Sequence, residues 1–208
     1  MAEGRWDRRE FLGAAALLAL VIGVPVGVAS LSGLDPDEAP TARQRSMMRE
    51  VAQAVLPRTG TAGAGEVGVG DFVILALAHG LDGTAAPVAT SAVAPAIPNL
   101  RRRDGSLRYV AWLEQALDSA ANGDWLGKAP AERTAALARV DAEAFAEGAA
   151  EHPWKKVKGL ILTGYYTSEV GGARELRYEL VPGRYDPVLP LKPGDRAWSS
   201  DWTAVEFG

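Results

Sequence analysis

Apolar residues recur along this chain mostly at helical spacing, and in one stretch at the spacing of a strand. Thr41 and Gln44 make a capping-box pattern ahead of Met48, Val51, Ala52, Val55 and Leu56, which return every three or four positions until Pro57 stops the run. The pattern predicts a first helix with one core-facing stripe, leaving Arg43, Arg49 and Gln53 elsewhere on its surface. Residues 57–70, rich in Gly, Thr and Ala, predict a loop. Asp71 is then placed to cap a second helix, Phe72 to His79, which Gly80 ends.

The segment 83–98 is almost entirely Ala, Pro, Thr, Val and Ser, and with the basic run after it predicts an irregular insertion over 83–105. Ser106 is the expected cap of a third helix reaching about Ala121, with Leu107, Val110, Leu113 and Leu117 on one face. Pro130 sits at the first turn of a fourth, reaching about Glu147 and carrying Leu137, Val140, Ala144 and Phe145. Pro153 opens a fifth, with Trp154, Val157, Leu160, Ile161 and Tyr165 inward and Gly171-Gly172 closing it.

Beyond Gly172 the period changes to two. Leu176, Tyr178 and Leu180 alternate with Glu175, Arg177 and Glu179, as in a strand with one wet face, and Val181-Pro182-Gly183-Arg184 predicts a turn. Pro187, Pro190 and Pro193, with Tyr185, Trp198 and Trp202 among them, then predict an extended tail that needs a surface to lie on. The expected fold is mostly α: a small bundle of about five helices over 41–172, then a short strand or hairpin and a proline- and aromatic-rich tail over 173–208.

The N-terminus carries a different signal. Arg8-Arg9 is followed by Phe11, Leu12 and a charge-free run to Leu34 that Gly13, Gly23, Pro25 and Gly27 keep moderately apolar. Twin arginines in that setting, here Arg8, Arg9, Phe11 and Leu12, are the mark read by the twin-arginine translocase, which exports proteins already folded, so periplasmic residence is expected. Gly27-Val28-Ala29 suits a signal peptidase, so residues 1–29 are expected as a cleaved signal; the run also has the length of an uncleaved anchor. Residues 30–40 read as a linker.

Composition narrows the chemistry. Removing residues 1–29 takes three arginines and three carboxylates, so the net charge stays at -4, a balance that does not attract nucleic acid. About 180 residues remain, enough for one domain. The chain has no cysteine and only His79 and His152, which excludes disulfides, iron–sulfur ligation and covalent haem, and argues against a His-rich metal or haem site. A protein addressed like a redox protein thus carries no redox ligands, and the expected explanation is a cofactor-bearing partner with which it travels.

The local motifs agree. Gly63-Ala64-Gly65-Glu66-Val67-Gly68 spells the dinucleotide fingerprint, but a helical segment ending in Pro57 precedes it, where that fingerprint needs a strand. A flexible or partner-contacting loop is the expected reading. His79 has Asp71 and Asp82 nearby in sequence but no nucleophile elbow, and reads as a helix-end residue. Asp141 and Glu143 read as a solvated face, and Arg101-Arg102-Arg103-Asp104 as an exposed run. In Gly164-Tyr165-Tyr166-Thr167-Ser168-Glu169, the adjacent tyrosines point about 100° apart on a helix, so one can pack inward while the other faces out as an interface anchor, with core packing alone as the alternative.

Two of these stretches carry a resemblance. Val51-Ala52-Gln53-Ala54-Val55-Leu56-Pro57-Arg58-Thr59 with its Gly-rich continuation, and the Gly-Tyr-Tyr-Thr-Ser-Glu cluster with the Tyr178 to Tyr185 segment, resemble the gluconate 2-dehydrogenase subunit 3 family. One departure is Thr59-Gly60-Thr61-Ala62-Gly63-Ala64, where the family's loop suggests Pro-Gly-Ala. The resemblance implies a non-catalytic small subunit without a cofactor of its own. Its partner would be an FAD flavoprotein of the glucose-methanol-choline type that oxidises sugars, polyols or sugar acids, often with a haem c cytochrome, and the small subunit would carry the export signal for the complex. The expected partner-interface residues are Tyr165, Tyr166, Ser168, Glu169, Tyr178, Pro182, Gly183, Tyr185, Trp198 and Trp202. The competing expectation is a stand-alone exported binding or scaffold protein.

Overall fold

The computed structural model describes residues 34, 39–88, 100–149, 151–177, 188, 190 and 192–198. The twin-arginine residues, most of the 83–98 insertion, and Tyr178, Pro182, Gly183, Tyr185 and Trp202 lie outside the described residues. What is described is helical, as the periodicity predicts: α1 (Ala42–Val55), α2 (Val69–Ala78), α3 (Tyr109–Ala120), α4 (Pro130–Ala144) and α5 (Pro153–Tyr166), followed by a π-helical turn at Val170–Glu175.

α1 starts where its cap chemistry says. The Thr41 hydroxyl accepts from Gln44 N at 3.1 Å and the Gln44 side chain accepts from Thr41 N at 3.0 Å, which closes the capping box. Met47, Met48, Val51 and Ala52 form its buried stripe. The polar face is less solvated than its sequence suggests. Arg43 Nη2 reaches Asp118 at 2.9 Å and Asp124 at 2.7 Å while Nη1 pairs with Glu114, so one guanidinium ties α1 to α3 and the turn after it. Those bonds, with Asp124 the strongest, hold Arg43 above its ordinary pKa against the opposing effect of burial.

α2 is apolar all round, and it is accordingly buried between α1 and α5. It begins at Val69, earlier than the expected Phe72, because Gly68 at φ +83° turns the chain into the helix and serves as its cap. Asp71 is therefore not a cap. It sits in the first turn, favoured by the helix dipole, and takes two bonds from Arg45, at 3.2 and 2.9 Å. The α1–α2 approach is close enough that a Cβ on Gly70 would lie 2.8 Å from Arg49 N.

Three further expectations are corrected. Ser106 does not cap α3, which begins at Tyr109; Ser106 is buried in a tight turn closed by Arg102 N to Ser106 O at 2.9 Å, with its hydroxyl donating to Asp104 at 2.6 Å. Within the basic run Arg102 is not exposed either, since its guanidinium donates to Leu107 O at 2.6 Å. α4 ends at Ala144, and Phe145 is 58% exposed because one residue beyond Ala144 rotates about 100° off the Leu137–Val140–Ala144 stripe.

The C-terminal end differs most. α5 stops at Tyr166, and Gly171 and Gly172 lie inside the π-helical turn that follows, so they do not close the helix. Glu175, expected in a strand, belongs to the same turn. Among the described residues there is no strand; Arg177 makes an isolated parallel bridge with Trp198, with Arg177 N donating to Ala197 O at 2.8 Å.

Candidate partner-docking surface

α5 positions the surface. Pro153 occupies its first turn, where a missing N–H costs nothing, and His152 caps it by accepting from Trp154 N through Nδ1 at 3.3 Å. Trp154, Val157, Leu160, Ile161, Gly164 and Tyr165 face the core. The opposite side carries Lys155, Gly159, Leu162 and Tyr166, at offsets of four, three and four residues that place them in one row. Leu162 and Tyr166 are each 38% exposed. Phe145 adds its ring beside the N-terminal half of this row, with the Lys155 and Lys158 ammonium groups 5.4 and 4.9 Å from its centroid.

The two tyrosines divide the work as their spacing predicts. Their rings meet edge to face at 5.3 Å, Tyr166 outward and Tyr165 in the core. The Tyr165 hydroxyl donates to Ala62 O at 3.0 Å and lies 3.3 Å from Thr61 Oγ1, and Thr61 in turn donates to the Glu175 carboxylate. This network latches the 57–68 loop to the end of α5 and the π turn. Ser168 donates to Tyr165 O at 2.6 Å and accepts from Gly171 N at 3.1 Å, while Glu169 is exposed and pairs with Arg174.

The loop, expected to be flexible or partner-contacting, is held by hydrogen bonds within the chain. Gly63 and Gly65 are buried, Gly65 N donates to Gln53 Oε1 at 3.1 Å, and Gly63 N donates to Glu66 Oε2 at 2.8 Å. Arg58 and the Gly63 amide hold the Glu66 carboxyl below its ordinary pKa. A Cβ on Gly65 would approach Gln53 Cβ to 2.8 Å, so the glycines of the apparent dinucleotide motif serve close packing against α1.

Of the residues expected at the interface, Tyr165, Tyr166, Ser168 and Glu169 stand together at the end of α5. Tyr165 and Ser168 act within the chain as anchors of the latch. Trp198 already has an internal neighbour, with the Arg177 guanidinium 4.4 Å above its ring. Leu162 and Phe145 were not expected on the outside. Leu162 was legible, since it falls off the 154–157–161–165 stripe; Phe145 was not, because its exposure depends on where α4 stops.

Residues 42–183 match the gluconate 2-dehydrogenase subunit 3 family, a stretch that contains all five helices and the loop latched to them. The chain belongs to that family. Its family name makes it a subunit of a dehydrogenase complex. The match contains Leu162 and Tyr166 and does not reach Tyr185, Trp198 or Trp202. No curated protein and no solved structure matches the chain. Among the described residues no three metal-ligating side chains cluster, and no helix is long and apolar enough to cross a membrane.

Proposed function

We propose that this chain is the non-catalytic small subunit of an FAD-dependent sugar, polyol or sugar-acid dehydrogenase, and that it carries the flavoprotein through the twin-arginine pathway to the periplasm or the outer face of the inner membrane. The observation that carries the reading is the row Gly159, Leu162 and Tyr166 on the outside of α5, inside the family-matched stretch and flanked by the exposed Phe145. An apolar row backed by a rigid buried helix is the kind of surface on which a partner subunit seats its own apolar anchors.

Supporting it are the absence of cysteine and the paired Arg8-Arg9 ahead of an apolar run. The flavin belongs to the partner in this reading, with a haem c cytochrome as a third member where electrons pass onward. Binding has to occur in the cytoplasm before export, because a partner without a signal of its own cannot follow later.

The test is to replace Arg8 and Arg9 with lysine in cells making both subunits. That change keeps the charge and removes the twin-arginine mark, so dehydrogenase activity should disappear from periplasm and membrane and both proteins should accumulate together in the cytoplasm. Normal activity in those outer fractions would refute the carrier role. Failure of the two wild-type chains to co-purify would refute the subunit reading itself.

A further inference from the structure

Two glycines lie inside α5, and only one of them has a reason within the chain. A Cβ on Gly164 would stand 2.5 Å from Phe72 Cδ1, so that glycine lets α2 and α5 touch. A Cβ on Gly159 would meet nothing within 4 Å among the described residues. Gly159 sits in the middle of α5, where glycine weakens a helix relative to alanine because its backbone loses more freedom on folding. Neither a close approach nor a turn among the described residues requires it.

The surroundings of the missing side chain are apolar. When a helix is packed by another element, a side chain of that element enters a hole between four residues, here Lys155, Lys158, Gly159 and Leu162. Glycine at one corner makes this hole wide and deep. The ammonium groups of both lysines lie against the Phe145 ring, at 5.4 and 4.9 Å, which leaves their alkyl stems beside the glycine. Leu162 forms the far wall, Tyr166 continues the row one turn on, and no carboxylate occurs anywhere in α5.

We propose that this hole receives one bulky apolar side chain, a leucine or an aromatic residue, of the dehydrogenase partner, and that Gly159 is the residue that admits it. This assignment rests on the small-subunit reading above and adds to it the partner's side of the contact. Leu162, Tyr166 and Phe145 then surround the inserted side chain and exclude water, the setting in which a single anchor carries much of the binding energy. A polar side chain of the same size is rejected, because alkyl walls leave its donors and acceptors unpaired.

The experiment sets stability against assembly in the full chain. Gly159→Ala and Gly159→Gln should each raise its melting temperature by about 2–4 °C, since both residues favour a helix over glycine. In titrations of the partner against the tagged chain, the single methyl of Gly159→Ala should weaken the complex severalfold. Gly159→Gln, which fills the hole, should weaken it about thirtyfold or more, the loss of one anchor. A lowered melting temperature in either variant would mean that Gly159 serves the chain's own fold and would overturn the proposal. Unchanged affinity of Gly159→Gln would overturn it while leaving the subunit reading intact, whereas failure of the two wild-type chains to associate would sink that reading and the hole with it. Should the chain alone form a dimer that Gly159→Gln dissolves, the occupant is a second copy and the proposal is wrong.

Discussion

The indole nitrogen of Trp154 donates to Asp141 Oδ1 at 2.6 Å, joining α5 to α4, and Lys158 reaches the same oxygen at 2.7 Å. Trp154 is 1% exposed, so this carboxylate supplies the hydrogen bond that lets an indole be buried. Burial opposes ionisation of Asp141, yet the bonds from Lys158 and Trp154 outweigh it and hold the carboxyl below its ordinary range. Asp141 is thus a joint between helices and not the solvated residue its sequence position suggests.

Replacing Asp141 with alanine should cost about 1–3 kcal/mol, the penalty for a buried donor left without an acceptor. Thermal melting of the full chain measures it, and an unchanged melting temperature contradicts the joint. Because the folded pKa lies below the unfolded one, this contribution is fully present above about pH 3.9 and is lost as the pH falls further through the folded value.

His152 gives a second pH dependence at a higher pH. Burial lowers its pKa, Lys155 adds to the lowering and Glu143 opposes it; the Trp112 ring packs edge-on at 5.4 Å. Nδ1 accepts from Trp154 N and must be unprotonated to do so. With the folded pKa below the unfolded value of about 6.5, stability is full above that pH and declines as the pH falls toward the folded value. His152→Asn retains an N-cap acceptor and should flatten the melting temperature between about pH 7 and pH 5. A wild-type profile already flat there removes the basis of this prediction.

The latch of Thr61, Tyr165 and Glu175 predicts how the C-terminal end can be cut. A chain ending at Gly172 loses Glu175, whereas one ending at Arg177 keeps it. The shorter chain should melt lower and be cleaved faster in the 57–68 loop under limited proteolysis. Gly171→Ala should act in the same direction by about 1–3 kcal/mol, since a Cβ there collides with the Tyr165 carbonyl. Equal protease sensitivity of the two truncated chains would show that Glu175 contributes nothing to the loop.

The outward row on α5 predicts a separation of stability from assembly. Leu162→Asp and Tyr166→Ala change half-exposed side chains, so each should leave the unfolding free energy within about 0.5 kcal/mol of the wild type. Each should nevertheless weaken co-purification of the dehydrogenase partner, by about 2 kcal/mol if Tyr166 is an anchor. Trp198→Ala should act through the chain's own Arg177 contact, and loss of the complex in that variant with Leu162→Asp harmless would move the docking surface to the tail.

Much of the helical frame was legible before any coordinates. Thr41 with Gln44 names the start of α1, Pro130 and Pro153 name the starts of α4 and α5, and the inward stripes of α1 and α5 follow from their 3.6-residue period. These are local features, decided by cap chemistry and backbone sterics within a few residues. The starts misread, Asp71 and Ser106, are residues with cap-forming side chains whose hydrogen bonds went elsewhere, to Arg45 and to the Asp104 turn. Nothing in the local sequence distinguishes those uses, because the competing partner comes from another part of the chain or from an adjacent turn.

By itself, then, the sequence determined that this is a chain of short amphipathic helices without cysteine, with a twin-arginine run ahead of them and the loop and tyrosine motifs of its family. Tertiary structure alone decided what the polar residues do. Arg43, Asp141 and Glu175 look alike as solvated charges in sequence, and each joins two elements through hydrogen bonds between residues 13 to 114 positions apart. It also decided which apolar side chains stay outside, since Leu162 and Phe145 are exposed only because the core closes over other faces of α4 and α5. The physical reason is range: caps and periodicity act over one or two turns, whereas burial and ion pairing depend on which distant surfaces meet.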